Sequence, residues 1–108
     1  MPRKLAYQPK RADANQPRVV AALRAAGAKV CHLHAVGGGC PDLLVAFRGR
    51  WVLIEVKDGA KPPSERRLTP AEEAWHEEFS QHAPVYICND VYQALAAIGA
   101  MQYNARAE

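Results

Sequence analysis

The sequence predicts one α/β domain in which a mixed β-sheet is flanked by helices, in the order α-β-β-β-α-β-α. Stretches with helical spacing of apolar residues alternate with short β-rich runs. Two of those runs are joined by a short turn that contains glycine, which is typical of a hairpin. The 108 residues, 49% hydrophobic and 23% charged, suit a single globular core and exclude a disordered chain.

The N-terminal part contains a basic arm, a helix and a strand. Residues 1–12 form the arm, with little periodicity, and the single domain extends over 13–108. A helix is expected from Asp13 or Asn15 to Ala26, where apolar residues recur at helical spacing, and Pro17 is tolerated only in its first turn. A strand over residues 29–34 then precedes three consecutive glycines, residues 37–39.

The second half begins with the hairpin, whose strands cover residues 42–47 and 51–56, followed by a polar loop over 58–68. Thr69-Pro70-Ala71-Glu72 has the pattern of a capping box and starts a helix that runs to about Gln81 and buries Trp75 and Phe79. A strand over 84–88 and a helix capped by Asp90 complete the order.

Several classes of protein are excluded by what the sequence lacks. It has no apolar run near the roughly 20 residues that span a bilayer and no apolar stretch after its basic N-terminus, so neither a membrane protein nor a secreted one is expected. Its three cysteines include no C-x-x-C pair, which argues against a disulfide scaffold or a cysteine zinc site and favours the cytoplasm.

Charge is separated along the chain. Lysine and arginine number 14 against 11 acidic residues, a net charge of +3. Basic residues gather in the arm and again at 57–67, whereas acidic residues gather at 72–78. This pattern suits a surface that meets an anionic polymer, although ordinary patchiness explains it equally well.

Asp42 and Glu55 carry the strongest chemical signal. Glu55 follows an apolar run, where a carboxylate is costly unless it is paired or bound to a metal. If Arg48 and Gly49 form a two-residue turn, Asp42 lies opposite Glu55 across the hairpin. A three-residue turn would shift the register by one residue and leave the two carboxylates neighbours.

Two adjacent carboxylates need protons or a cation to offset their repulsion, and oxygen ligands suit Mg²⁺ or Mn²⁺. The two-residue period of a strand places Lys57 on the same face as Glu55. A metal ion, a water molecule and an ammonium group at one point suit phosphodiester hydrolysis. The alternative is an aspartate at the start of a strand and a surface Glu–Lys pair.

The segments CPDLLVAF, WVLIEVK and LTPAEEAWHEEF resemble the VRR-NUC branch of the PD-(D/E)XK nucleases, in particular the small single-domain phage and prophage members. The resemblance covers most of the chain from Asp13 to Ile98. It implies a restriction-endonuclease-like fold and a bacterial or phage-infected bacterial cell as the setting.

The resemblance also implies a site. Asp42 and Glu55 would be ligands of Mg²⁺ or Mn²⁺, with the backbone carbonyl of Val56 as a third ligand and Lys57 as the catalytic lysine. Asp13 matches an acid on the first helix of the family, or else it caps that helix. Glu72, or Glu73 if the spacing is one longer, stands where the family usually has glutamine, so it either joins the metal site or serves only in the capping box.

The partners implied are DNA and a second copy of the chain, with no small-molecule cofactor. Contacts to phosphates would come from basic residues of the loop and the arm, namely Lys61, Arg66, Arg67, Lys10 and Arg11. We expect an endonuclease selective for DNA structure, such as branches, junctions or flaps, and a homodimer resembling Holliday-junction resolvases, with the last helix as a candidate interface. The alternatives are a non-catalytic nucleic-acid-binding module of the same fold, or an interaction subunit of a larger nuclease.

Weaker signals have ordinary interpretations beside the functional ones. His32 and His34 share a strand face, and we expect satisfied or exposed histidines rather than zinc ligands. Residues 37–39 form either a phosphate-approaching loop or a plain flexible turn. The cysteines are expected to be packing residues rather than nucleophiles.

Overall fold

The computed structural model describes residues 14–101, with three helices and four strands. The helices are α1 (Gln16–Ala25), α2 (Pro70–Phe79) and α3 (Val91–Ala97), and the strands are β1 (Lys29–His32), β2 (Leu43–Phe47), β3 (Arg50–Val56) and β4 (Val85–Cys88). A short 3₁₀ turn, Pro63–Glu65, interrupts the loop before α2. The arm (with Lys10 and Arg11) and Asp13 lie outside the described residues.

The four strands form one mixed sheet in the order β1-β2-β3-β4. The first two pairs are antiparallel, and β3 pairs with β4 in parallel. The predicted fold class and element order are therefore confirmed. None of the helices within residues 14–101 is long and apolar enough to cross a bilayer.

The core lies between α1, α3 and one face of the sheet. Alternating residues of the hairpin point into it because side chains of a strand alternate between faces. The buried apolar residues include Val19 and Leu23 of α1, Leu43 and Val45 of β2, Val52, Ile54 and Val56 of β3, and Ala94 and Ala97 of α3. Residues between these positions, Glu55 among them, face the other side of the sheet.

Helix α2 does not contribute to that core, and the prediction that it buries Trp75 and Phe79 is wrong. Their rings stack on each other with centroids 3.8 Å apart. Trp75 is half-buried and Phe79 is 42% exposed. The periodic spacing correctly placed both rings on one face of the helix, but within residues 14–101 neither ring belongs to the buried core.

Candidate active site

The hairpin brings Asp42 and Glu55 together in the register predicted for a two-residue turn. Arg48 and Gly49 form that turn, both with positive φ, and the strand pairs run from Phe47–Arg50 to Leu43–Ile54. The next residues outward are Asp42 and Glu55, which are 1% and 0% exposed. Asp42 Oδ2 accepts a hydrogen bond of 2.7 Å from the backbone N–H of Val56, so its carboxylate is held against the end of β3.

Lys57 lies on the same face as Glu55, as the two-residue period predicts. Its Nζ is 3.6 Å from Glu55 Oε2 and 3.1 Å from Glu72 Oε1. The side chain of Lys57 is only 13% exposed. The ammonium group is therefore held between two carboxylates at the end of the sheet.

Glu72 joins the site and caps α2 with the same carboxylate. Its Oε1 accepts from the backbone N–H of Thr69 at 2.9 Å as well as from Lys57 Nζ, and Thr69 Oγ1 accepts from the Glu72 N–H at 3.2 Å. The predicted capping box is confirmed. Glu73 is exposed, so Glu72 is the acid that the helix presents to the site.

The glycine loop supports this arrangement from the other side. Gly39 has φ +87°, and a Cβ atom there would overlap the backbone carbonyl of Ala71. Only glycine allows the loop to pack so closely against the first turn of α2. Gly39 therefore has a packing role that neither sequence interpretation of the loop included.

Sequence reasoning also missed Asn15, which joins α1 to the site. Its Nδ2 donates to the carbonyl of Lys57 at 3.1 Å and to the carbonyl of Asn89 at 3.0 Å. The side chain makes no capping bond to its own helix. The sequence signal was an asparagine at a helix start, which predicts a local cap and not a contact 42 residues away.

The donor set suits a hard divalent cation. The buried carboxylates belong to Asp42, just before β2, and Glu55, near the end of β3, and Asp42 accepts from the backbone of Val56. Oxygen ligands are those that Mg²⁺ and Mn²⁺ prefer. In the part of the chain that the structure describes, no three His, Cys, Asp or Glu side chains form a ready-made cage. Mg²⁺ keeps several waters and shares substrate phosphate oxygens, so one or two carboxylates suffice for it.

The predicted basic loop connects β3 to α2, the two elements that supply Lys57 and Glu72. Lys61 and Arg67 are exposed, and Arg66 is half-buried because its Nε donates to the carbonyl of Lys61 at 2.7 Å. The loop leaves β3 next to Lys57 and enters α2 just before Glu72. Its basic residues therefore lie close in sequence to both of these site residues.

The three cysteines are free, and the prediction that they are packing residues is confirmed for Cys88 and wrong for Cys31. Cys31 is exposed, Cys40 is half-buried and Cys88 lies in the core. Burial, reinforced by the charge of Asp90, raises the pKa of the Cys88 thiol to about 12. Because the thiolate is the nucleophile, Cys88 is inert at neutral pH.

Comparison with known proteins places the chain in a family. No family model matches the sequence, and no curated protein matches it. A solved structure described as a VRR_NUC domain is similar to it, with 30% identity and a TM-score of 0.58. The match covers 82% of this chain and 98% of that one. On this similarity in sequence and fold, together with the P-D and E-V-K residues of the hairpin, the chain belongs to the VRR-NUC family of nucleases.

Proposed function

We propose that this protein hydrolyses DNA phosphodiester bonds with a divalent metal ion, Mg²⁺ or Mn²⁺. One observation carries the proposal: Asp42 and Glu55, the residues next to the last hairpin pair Leu43–Ile54, are both buried, with the Lys57 ammonium 3.6 Å from Glu55. Burying this many charges at one point costs free energy that a purely structural role would not require. Asp42, Glu55 and the Val56 carbonyl are the proposed metal ligands.

The metal ion and the protein side chains have separate roles in the proposed reaction. When bound, the metal supplies Lewis acidity and lowers the pKa of water. The Lys57 ammonium donates hydrogen bonds to the attacking water or to the phosphate oxygen on which negative charge develops. Glu55 and Glu72 fix the position of Nζ, so little reorganisation is needed as that charge appears.

The surroundings of the site favour recognition of DNA backbone over base sequence. Lys61, Arg66 and Arg67 offer guanidinium and ammonium groups on the loop that leads into the site. Phosphate contacts set affinity and orientation but carry no sequence information. We therefore propose an endonuclease that selects branched, junction or flap structures.

We further propose a homodimer. On the face of the sheet opposite the core, Trp51 is 63% exposed and Ile87 is 45% exposed. Leu53 and its cross-strand partner Leu44 lie on the same face as Trp51, and Ile87 pairs with Glu55 at the site end of that face. A second copy seated there would cover aromatic and aliphatic groups of the kind enriched at interfaces.

The direct test is nicking of supercoiled plasmid and cleavage of a panel of branched and linear DNAs, with Mg²⁺ or Mn²⁺. We expect Asp42→Asn, which preserves a hydrogen-bond acceptor for Val56, to abolish cleavage. Lys57→Ala should reduce the rate about 10²–10³-fold. Glu73→Gln changes the charge of a neighbouring exposed acid and should cut normally.

The same assay distinguishes the alternatives. If the wild-type protein binds DNA without cutting it, and the Asp42→Asn and Lys57→Ala variants bind DNA equally well, the protein is a binding module. An inactive protein that co-purifies with a larger nuclease would be an interaction subunit. Either result would overturn the proposed catalysis.

A further inference from the structure

A cleft lined by both polar and apolar side chains lies between α1 and the end of β1, and the nuclease chemistry makes no use of it. Its volume is about 360 Å³, within the size range of pockets that accept small organic groups. We name it the histidine cleft; its polar lining is Gln16, Arg24, His32 and His34, and Val20 and Ala21 form an apolar wall.

Gln16 is the unusual member of this lining, because its side chain is buried without satisfying both ends of its amide. The residue is 2% exposed. Its Nε2 lies 3.4 Å from His32 Nδ1, and its Oε1 has no hydrogen-bond partner. A buried polar atom left without a partner is destabilising, whereas a leucine here would have no such cost.

The two histidines offer further hydrogen-bonding groups in the same cleft. The imidazole of His32 has a second ring nitrogen besides the Nδ1 that faces the Gln16 amide. His34 Nδ1 is buried and has no partner either. The two rings stand edge to face, with centroids 6.2 Å apart, and together they offer aromatic faces beside hydrogen-bonding groups.

Together these groups can bind the base and the phosphate of one nucleotide. An exocyclic amino group of a base can donate to the Gln16 carbonyl after a small rotation of the amide. Imidazole faces stack on bases, as aromatic side chains do in single-strand-binding proteins. Arg24 is exposed at the edge of the cleft and can meet a phosphate.

The histidine cleft is tied to the active site through the backbone. The N–H of Leu33, between the two histidines, donates to the carbonyl of Asp42 at 2.7 Å. Asn15, next to Gln16, donates to the carbonyl of Lys57. His32 pairs with Leu43 on the helix-covered face of the sheet, so cleft and carboxylates lie on two sides of the same sheet end.

We propose that the histidine cleft binds one unstacked base of single-stranded DNA at the same sheet end as the active site. The inference rests on the proposed nuclease function and specifies its substrate as DNA with an unpaired strand at the site. Zinc bound by the two imidazoles is disfavoured, because no third His, Cys, Asp or Glu ligand joins them within residues 14–101.

The test measures binding separately from cleavage. Fluorescence anisotropy in Ca²⁺, without Mg²⁺ or Mn²⁺, compares a labelled single strand, the same strand with abasic sites, and a blunt duplex. Wild type should bind the intact strand about tenfold more tightly than the abasic one. Gln16→Leu and His34→Ala should remove that difference and leave duplex affinity unchanged within twofold.

Three further measurements show whether a loss of binding comes from the cleft itself. Gln16→Leu removes the buried carbonyl and should fold with a melting temperature no lower than that of wild type. Arg24→Ala should weaken binding of the single strand, whereas Arg18→Ala, which changes an exposed arginine on the same helix, should bind like wild type. The ring-proton NMR resonances of His32 and His34 should shift with the single strand.

The outcomes separate this proposal from the nuclease proposal. If wild type cuts DNA but the variants bind the intact strand normally, the cleft assignment is wrong and the nuclease stands. If wild type never cuts but the histidine resonances shift with the intact strand, the cleft stands and catalysis fails. Resonances that respond to ZnCl₂ and not to the oligonucleotide would overturn the nucleotide assignment.

Discussion

At the scale of single residues, Glu72 links the stability of the fold to the geometry of the site. One carboxylate oxygen accepts from both the Thr69 N–H and the Lys57 ammonium. The residue is 3% exposed, so neither bond is replaced by water without rearrangement. The capping role is confirmed, and the capping geometry also directs the carboxylate toward Lys57. A role for Glu72 as a metal ligand stays a prediction.

We expect Glu72→Ala to lower the free energy of unfolding by about 2 kcal/mol, since it removes the cap and one partner of a mostly buried lysine. Glu72→Gln should restore most of the loss, because glutamine also completes a capping box. Urea denaturation of both variants measures this. Equal stability of Glu72→Ala and wild type would show that the carboxylate is not structural.

At the scale of elements, the hairpin and the start of α2 position the site from opposite sides. The hairpin sets Asp42 against Glu55 through its register. Helix α2 places Glu72 next to Lys57 because its first turn packs against the loop at Gly39. Displacing the first turn of α2 should therefore shift the Lys57 ammonium group as well as destabilise the helix.

Two neighbouring glycines provide a matched test of that contact. Gly38 and Gly39 both have positive φ, but a Cβ atom at Gly38 would meet nothing within 4 Å. Gly38→Ala should cost about 1–2 kcal/mol from backbone strain alone. Gly39→Ala should cost several kcal/mol more, in urea denaturation, because it also collides with Ala71. Similar losses in the two variants would contradict the close packing.

The elements also show what sequence patterns can predict. The register at Asp42 and Glu55 was predictable because a two-residue turn and the period of a strand determine it. The exposure of Trp75 and Phe79 was not, since periodicity identifies the apolar face of a helix but not what covers it. Asn15 and Gln16 escaped prediction because their partners come from other elements, which no local pattern encodes.

At the scale of the whole molecule, the sheet is covered unequally. Helices α1 and α3 bury one face, whereas α2 meets Lys57 and the loop at Gly39 with its first turn. The remaining apolar surface includes Trp51, Leu53 and Ile87. Exposed patches of this kind mark interaction sites in soluble proteins.

Sedimentation equilibrium tests whether a second copy covers that surface. Trp51→Glu should convert the proposed dimer to a monomer, because it would bury a charge at the interface. Tyr92→Glu is the control: Tyr92 is 61% exposed on α3, the helix that the sequence suggested as an interface. A monomeric Tyr92→Glu beside a dimeric Trp51→Glu would move the interface to α3, and a monomeric wild type would exclude the dimer.

The proposed catalysis depends most on whether Asp42 and Glu55 hold a cation, and anomalous diffraction from crystals soaked in Mn²⁺ tests this without reference to activity. We predict an anomalous peak at coordination distance from both carboxylates in wild type and its loss in Asp42→Asn. Wild-type crystals with no peak there, or with a peak that persists in Asp42→Asn, would contradict the proposed metal site.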